Sequence, residues 1–114
     1  MACGSLEIEI LNTFWSILEV DEDCDISIQD VVDELSQNGV ERAYTTIKTV
    51  MDRLVGKSIL VRYKVGKKFF YKVTMDKDEM ALEMLKEFTQ NFFNGDYVRM
   101  CRFVEHQTDE LLVK

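Results

Sequence analysis

Residues 44–54 read YTTIKTVMDRL. With Ile47, Val50, Met51 and Leu54 set aside, what remains is hydroxyls and cations: Tyr44, Thr45, Thr46, Lys48, Thr49 and Arg53, with one carboxylate, Asp52. No histidine stands among them to activate a hydroxyl, so the chemistry on offer is recognition. Hydroxyls, an ammonium and a guanidinium can reach phosphate oxygens and base edges, whereas carboxylates would be repelled along most of a nucleic-acid groove. A second basic set follows at Arg62 and at the GKK of residues 66–68. The whole chain of 114 residues is acidic at net -7, yet residues 41–72 hold nine cations against two anions, a local +7 that leaves -14 for the rest. Charges separated by more than about 8 Å hardly feel each other at physiological salt. A polyanion docking on the middle third therefore meets a cation.

Other constellations carry less. Asp21, Asp23 and Asp25 in DEDCD open like a calcium loop, but Ile26 and Val32 stand where its glycine and glutamate belong. A solvated acidic loop is the better reading, and no metal is expected. His106 and Cys101 are five residues apart, about 140° around a helix, which does not make a thiol-imidazole pair. No glycine loop suits a phosphate and no serine, histidine and acid set assembles, so neither an enzyme nor a cofactor is expected. Cys24 sits among four carboxylates that disfavour its thiolate. Cys3, Cys24 and Cys101 are scattered and odd in number, which predicts free thiols in a reducing compartment. No apolar run approaches the roughly 18–20 residues needed to span a bilayer, and the MACGSLE start has no secretory pattern. A cytoplasmic protein without a membrane partner is the expectation.

The elements that must position the basic groups follow from periodicity. From Leu6 to Leu18, Ile8, Leu11, Trp15 and Leu18 recur at helical spacing, widened by Ile10, Phe14 and Ile17. Ser27 with Asp30 reads as a capping box ahead of Ile28, Val31, Val32 and Leu35, and Asn38-Gly39 ends that helix. A third helix starting near Ala43 buries Ile47, Val50, Met51, Leu54 and Val55, which leaves the threonines, Lys48, Asp52 and Arg53 outside. The period then becomes two. Val61, Tyr63 and Val65, a GKK loop, then Phe69, Tyr71 and Val73 predict a hairpin with a basic tip, Phe69 and Tyr71 facing the core. Helical spacing returns in Ala81, Leu85, Phe88 and Phe92. Gly95 breaks it, Asp96 can cap, and Tyr97, Met100, Cys101 and Val104 form a further stripe. Such seams need burial, and the simplest partner is the same tail of a second copy, a homodimer.

The predicted fold is mainly α with a small β-hairpin: a winged helix-turn-helix DNA-binding domain over 1–75, then a C-terminal helical dimerisation segment over 76–114. The stretch AYTTIKTVMDRLVGKSILVRYKVGKKFFYKV resembles the penicillinase-repressor family of bacterial regulators, whose recognition helix reads Y-T-T-[VI]-K-T-x-x-x-R-L. Trp15 matches the buried tryptophan of the family's first helix, and FTQNFFNGDYVRMCRFVE is similar to its dimerisation segment. The resemblance implies a dimeric repressor on a palindromic double-stranded DNA operator. It implies contacts from Tyr44, Thr45, Thr46, Lys48, Thr49 and Arg53 in the major groove, with Arg62, Lys67 and Lys68 on the wing. In β-lactam-responsive members a sensor-triggered cut falls between asparagine and phenylalanine. The matching pair here is Arg102-Phe103, the place the resemblance gives for a regulatory cut by a sensor-transducer protease system as partner, but arginine stands where the family has asparagine, and that departure tells against proteolytic induction. The helix exit reads Gly-Lys-Ser where the family has Lys-Lys-Gly, so Ser58 stands where glycine would relax a left-handed turn, and an altered backbone is expected there. The alternative reading is a winged-helix module docking an acidic protein partner.

Overall fold

The computed structural model describes residues 3–113. These divide into two compact units, residues 3–77 and residues 78–113, each described by itself.

The first unit opens with α1 (Ser5–Val20), α2 (Ile28–Gln37) and α3 (Tyr44–Gly56). The Ser27 hydroxyl accepts from the Asp30 amide at 3.2 Å while the Asp30 carboxylate accepts from the Ser27 amide at 2.9 Å, the capping box expected for α2. At its far end Gly39 takes φ 82°. There Val40 N–H donates to Leu35 O and Gly39 N–H to Ser36 O, a Schellman ending. α1, α2 and α3 pack on one another around Ile10, Leu11, Phe14, Val31, Leu35, Ile47, Met51 and Leu54, all nearly inaccessible to water. In α1 the buried stripe runs through Ile10, Leu11 and Phe14, while Ile8, Trp15 and Leu18 are only half-buried. The Trp15 indole lies at the rim, with Nε1–H donating to Met75 O at 3.2 Å.

α3 exits through the same Schellman geometry as α2, with Ile59 N–H donating to Leu54 O and Ser58 N–H to Val55 O. Ser58 holds the left-handed position at φ 63°. The altered backbone expected at this serine is thus absent: the turn is kept, with a side chain where glycine would sit more easily.

β1 (Leu60–Val65) and β2 (Lys68–Val73) form a two-stranded antiparallel sheet. Its register pairs Val65 with Lys68, Tyr63 with Phe70 and Arg62 with Tyr71. The loop is therefore Gly66-Lys67 rather than the expected three residues, with Gly66 at φ 64°, as a two-residue hairpin turn starting on glycine requires. Lys68 belongs to the strand. The shorter loop shifts the register by one and puts Val61, Tyr63 and Val65 on the face opposite Tyr71. Tyr71 is buried, but Phe69 is 44% exposed, so the expectation that both face the core holds only for Tyr71.

In the second unit α4 (Lys77–Phe93) ends in two left-handed residues, Asn94 and Gly95. Asp96 then caps α5 (Tyr97–His106), its Oδ1 accepting from the Arg99 amide at 2.9 Å, and α6 (Thr108–Leu112) follows. The Phe88, Phe93 and Phe103 rings stack at tilted angles, with the Arg99 guanidinium 5.8 Å from the Phe93 centroid. Among the described residues no helix is long and apolar enough to cross a membrane.

Candidate nucleic-acid interface

One side of α3 is fully committed to the core and the other to water. Ile47, Met51 and Leu54 are inaccessible, while Tyr44, Thr45, Thr46, Lys48, Thr49, Asp52 and Arg53 are all exposed. The helix starts at Tyr44 after Ala43, whose backbone carbonyl takes the first turn's amides from Thr46 and Ile47 at 3.1 Å. Thr45 and Thr46 thus stand in that first turn.

The side chains on this face are not all idle. Lys48 Nζ donates to Asp52 Oδ2 at 2.9 Å, one turn along the helix, and this bond is the main reason the Lys48 pKa lies above its ordinary value. Thr49 Oγ1–H donates to Thr45 O at 2.9 Å, which spends its proton on the backbone and leaves its lone pairs facing out. A polyanion approaching the helix therefore competes with Asp52 for Lys48. The helical spacing already placed Lys48 and Asp52 four apart; the consequence of that spacing is an internal counterion.

The wing adds its cations next to this helix. Arg62 stacks over the Phe69 ring with its guanidinium 4.6 Å from the centroid, and the Lys64 ammonium lies 4.9 Å from the same ring. Both cations thus lie over the ring of Phe69, which remains exposed. Tyr71, hydrogen-bonded to Arg62, has its pKa raised chiefly by burial and then by Asp52, against the lowering by Arg62. Ser27, Tyr44, Lys48, Arg62, Lys68 and Phe69 line a groove of about 630 Å³ between the start of α2, α3 and the hairpin. On the other flank of α3, Thr45, Thr46, Thr49 and Arg53 share a shallower groove with the start of α1. Lys67 is exposed at the turn. Each of the nine expected contact residues thus lies on one of two adjoining elements, α3 or the hairpin.

Two features of this region were not read from the sequence. Glu7 in α1 is nearly buried and receives Lys57 Nζ at 2.8 and 3.1 Å, across fifty positions of chain. Burial pushes the Glu7 carboxyl up, but Lys57, the Gly4 amide and Arg53 outweigh it and the pKa falls below its ordinary 4.5. The Tyr63 hydroxyl donates to Asp25 Oδ1, which ties the acidic loop to β1. Cys24 in that loop has its pKa raised, first by burial and then by Asp21, Asp30 and Asp25.

Among the expected tail residues, Ala81, Leu85, Phe88, Phe92, Tyr97, Cys101 and Val104 are exposed and Met100 is buried. Arg102 and Phe103 lie within the continuous helix α5. Among the described residues no group of three or more His, Cys, Asp or Glu side chains could hold a metal ion.

Three packed helices with an outward polar third helix and a following hairpin that carries Arg62, Lys64, Lys67, Lys68 and Lys72 exposed define a winged helix-turn-helix protein. Residues 3–112 match the family described as Penicillinase repressor, and the chain belongs to that family, one of DNA-binding repressors and not of enzymes. It is 29% identical over 90 residues to the penicillinase repressor of Staphylococcus aureus, an alignment covering 79% of this chain and 66% of that protein. The matched part is thus slightly under two thirds of that relative's length. The ferric uptake regulator from Francisella tularensis, solved with iron, shares the fold at TM-score 0.52 and 19% identity, over 81% of this chain and 80% of that one.

Proposed function

We propose that this chain is a dimeric, sequence-specific DNA-binding repressor that occupies a palindromic operator. In this reading residues 1–75 form the DNA-binding domain and 76–114 the dimerisation segment. Lys48, Thr45, Thr46 and Thr49 face base edges in the major groove, Tyr44 and Arg53 reach flanking phosphates, and Arg62, Lys67 and Lys68 rest on the backbone beside them. The observation that carries the reading is the division of α3: Ile47, Met51 and Leu54 are sealed in the core while the opposite face carries hydroxyls and cations, with Asp52 as its one carboxylate. The family and the shared fold support it.

Pairing of two copies is supported by the tail. Leu85, Phe88, Phe92, Tyr97 and Val104 expose apolar surface that a monomer gains nothing by showing to water. Two identical readers on one tail-to-tail pair match a two-fold symmetric site. If a sensor-linked protease cuts at Arg102-Phe103, it must first unwind α5, because the bond lies inside a regular helix. The protein acts in the cytoplasm, where its thiols stay reduced.

Selection of bound sequences from a random duplex pool at near-physiological salt tests the proposal. An enriched palindrome with two half-sites is expected. Recovery of no preferred sequence, with binding lost at modest salt, would contradict it and favour an acidic protein as the partner of the basic face.

A further inference from the structure

From Val61 to Phe70 no residue of the hairpin is buried, and a two-stranded hairpin is at best marginally stable by itself. The base of the wing is closed by Thr74, whose hydroxyl donates to Ser58 O at 2.8 Å and to Ile59 O at 3.0 Å. Farther out, the hold comes from the segment that precedes α2. Ile26 forms a β-bridge with Tyr71, accepting its amide at 2.8 Å, and so borders β2. One residue earlier, Asp25 accepts the Tyr63 hydroxyl of β1. Consecutive residues thus hold the hairpin at two places, Ile26 by its backbone at the edge of β2 and Asp25 by its side chain on Tyr63 of β1.

We propose that Tyr63 and Asp25 are positioning residues for the wing: their hydrogen bond fixes the setting from which Lys67 and Lys68 reach the DNA backbone. The inference rests on the DNA-binding reading above and adds a pair that contacts no DNA itself. Neighbouring contacts favour it. The Lys72 ammonium lies 5.4 Å from the Tyr63 ring and the Phe70 ring 6.2 Å away, so the phenol is held sideways as well as at its tip. Burial and then Asp25 push the Tyr63 phenol up to about 12, in keeping with a hydroxyl that donates to a carboxylate. The turn that presents Asp25 is itself built, with Cys24 N–H donating to Asp21 O and Asp23 N–H to Asp21 Oδ1, both at 3.2 Å. The acidic loop, otherwise a poor neighbour for a polyanion, thereby spends a carboxylate on holding the wing.

The test uses the full chain with Tyr63→Phe, which removes only the hydroxyl, and Asp25→Ala. Affinity for the selected duplex and for an unrelated one is measured across a salt series, beside hydrogen exchange at residues 66–68 and 47–54. Each variant is expected to weaken both duplexes about three- to tenfold and to flatten the log affinity against log salt slope by about one, the loss of one phosphate contact. Adding Lys67→Ala to Tyr63→Phe should cost less than Lys67→Ala alone. Exchange should quicken at the wing and stay unchanged in α3. An unaltered slope with additive losses, or unaltered exchange at residues 66–68, would overturn the proposal. Should the parent chain bind no duplex, the DNA reading fails, and the exchange result still decides whether the bond holds the hairpin.

Discussion

Residues 3–77 and residues 78–113 handle apolar surface in opposite ways. The first unit seals Ile10, Phe14, Val31, Ile47, Met51, Leu54 and Tyr71 in one core and shows water a strip of threonines, lysines and arginines. The second buries Met80, Thr89, Phe93 and Met100 but exposes Leu85, Phe88, Phe92, Val98 and Phe103, with Phe92 at 71%. The first unit also exposes Val20, Val61, Val65 and Phe69, but its large rings Phe14 and Tyr71 are sealed, whereas Phe88, Phe92 and Phe103 of the second stand in water. Under the proposed function the difference teaches that the two units ask for different partners: a cationic face in one for a polyanion, unburied rings in the other for a second copy.

The sharpest way to break that comparison is to make the tail polar. If the proposed dimer forms through this surface, Leu85→Asp with Phe88→Asp should give a monomer in sedimentation equilibrium where the parent gives a dimer, while the thermal unfolding of residues 3–77 stays in place. A dimer that persists would move the contact to another surface.

Next in size are the two ends of the α3 ion pair. Lys48→Ala should lower affinity for the selected duplex roughly 10- to 100-fold, with relaxed choice at one base position and a small effect on unrelated duplexes. Asp52→Asn should do the reverse for unrelated duplexes, tightening them and steepening the salt slope by about one, since Lys48 loses its internal counterion. Binding titrations on both duplexes decide it; equal effects of Lys48→Ala on every sequence would remove base reading from that side chain.

A smaller effect is expected at the seam between α1 and α3. Glu7→Gln should destabilise by about 1–2 kcal/mol, the loss of a charge-assisted hydrogen bond. Because the Glu7 pKa is lowered in the fold, its contribution is full above the ordinary 4.5 and is lost as pH falls through the folded value. Lys57, raised by its bond to Glu7, sets the other edge: its contribution is present below the ordinary 10.5 and lost as pH rises through its folded value. Thermal unfolding of parent and variant should therefore differ by a constant amount near neutrality and converge in acid. A gap that stays open at pH 2 would assign the effect to packing.

The smallest change expected is a gain. Ser58 carries a side chain at φ 63°, and Ser58→Gly should stabilise by roughly 0.5–1 kcal/mol, read as a rise of a few degrees in Tm. An unchanged Tm would mean that glycine's extra freedom in the unfolded chain cancels the relief.

Local signals were legible in advance. The Ser27 box, the Gly39 and Gly95 breaks, the Asp96 cap and the polar face of α3 each depend on residues within one turn of one another, so spacing alone reveals them. What escaped depends on register or on distance along the chain. A three-residue GKK loop would have set Val65 opposite Phe69 and gathered the apolar alternation on one face; the Gly66-Lys67 turn shifts pairing by one and divides it between both. Trp15 lies beside the buried stripe of α1 because Met75 accepts its N–H at the rim, sixty residues away. The Tyr63–Asp25 and Lys57–Glu7 bonds likewise join segments that no periodicity relates.

The most direct measurement of the division between the two units is the mass and cooperativity of complexes on the selected duplex, on a half-site duplex, and with Leu85→Asp/Phe88→Asp in place of the parent. The account requires two protomers arriving together on the palindrome, and single protomers of the tail variant binding each half-site weakly and independently with the same base preference. One protomer per palindrome from the parent, or a tail variant that binds as the parent does, would contradict it.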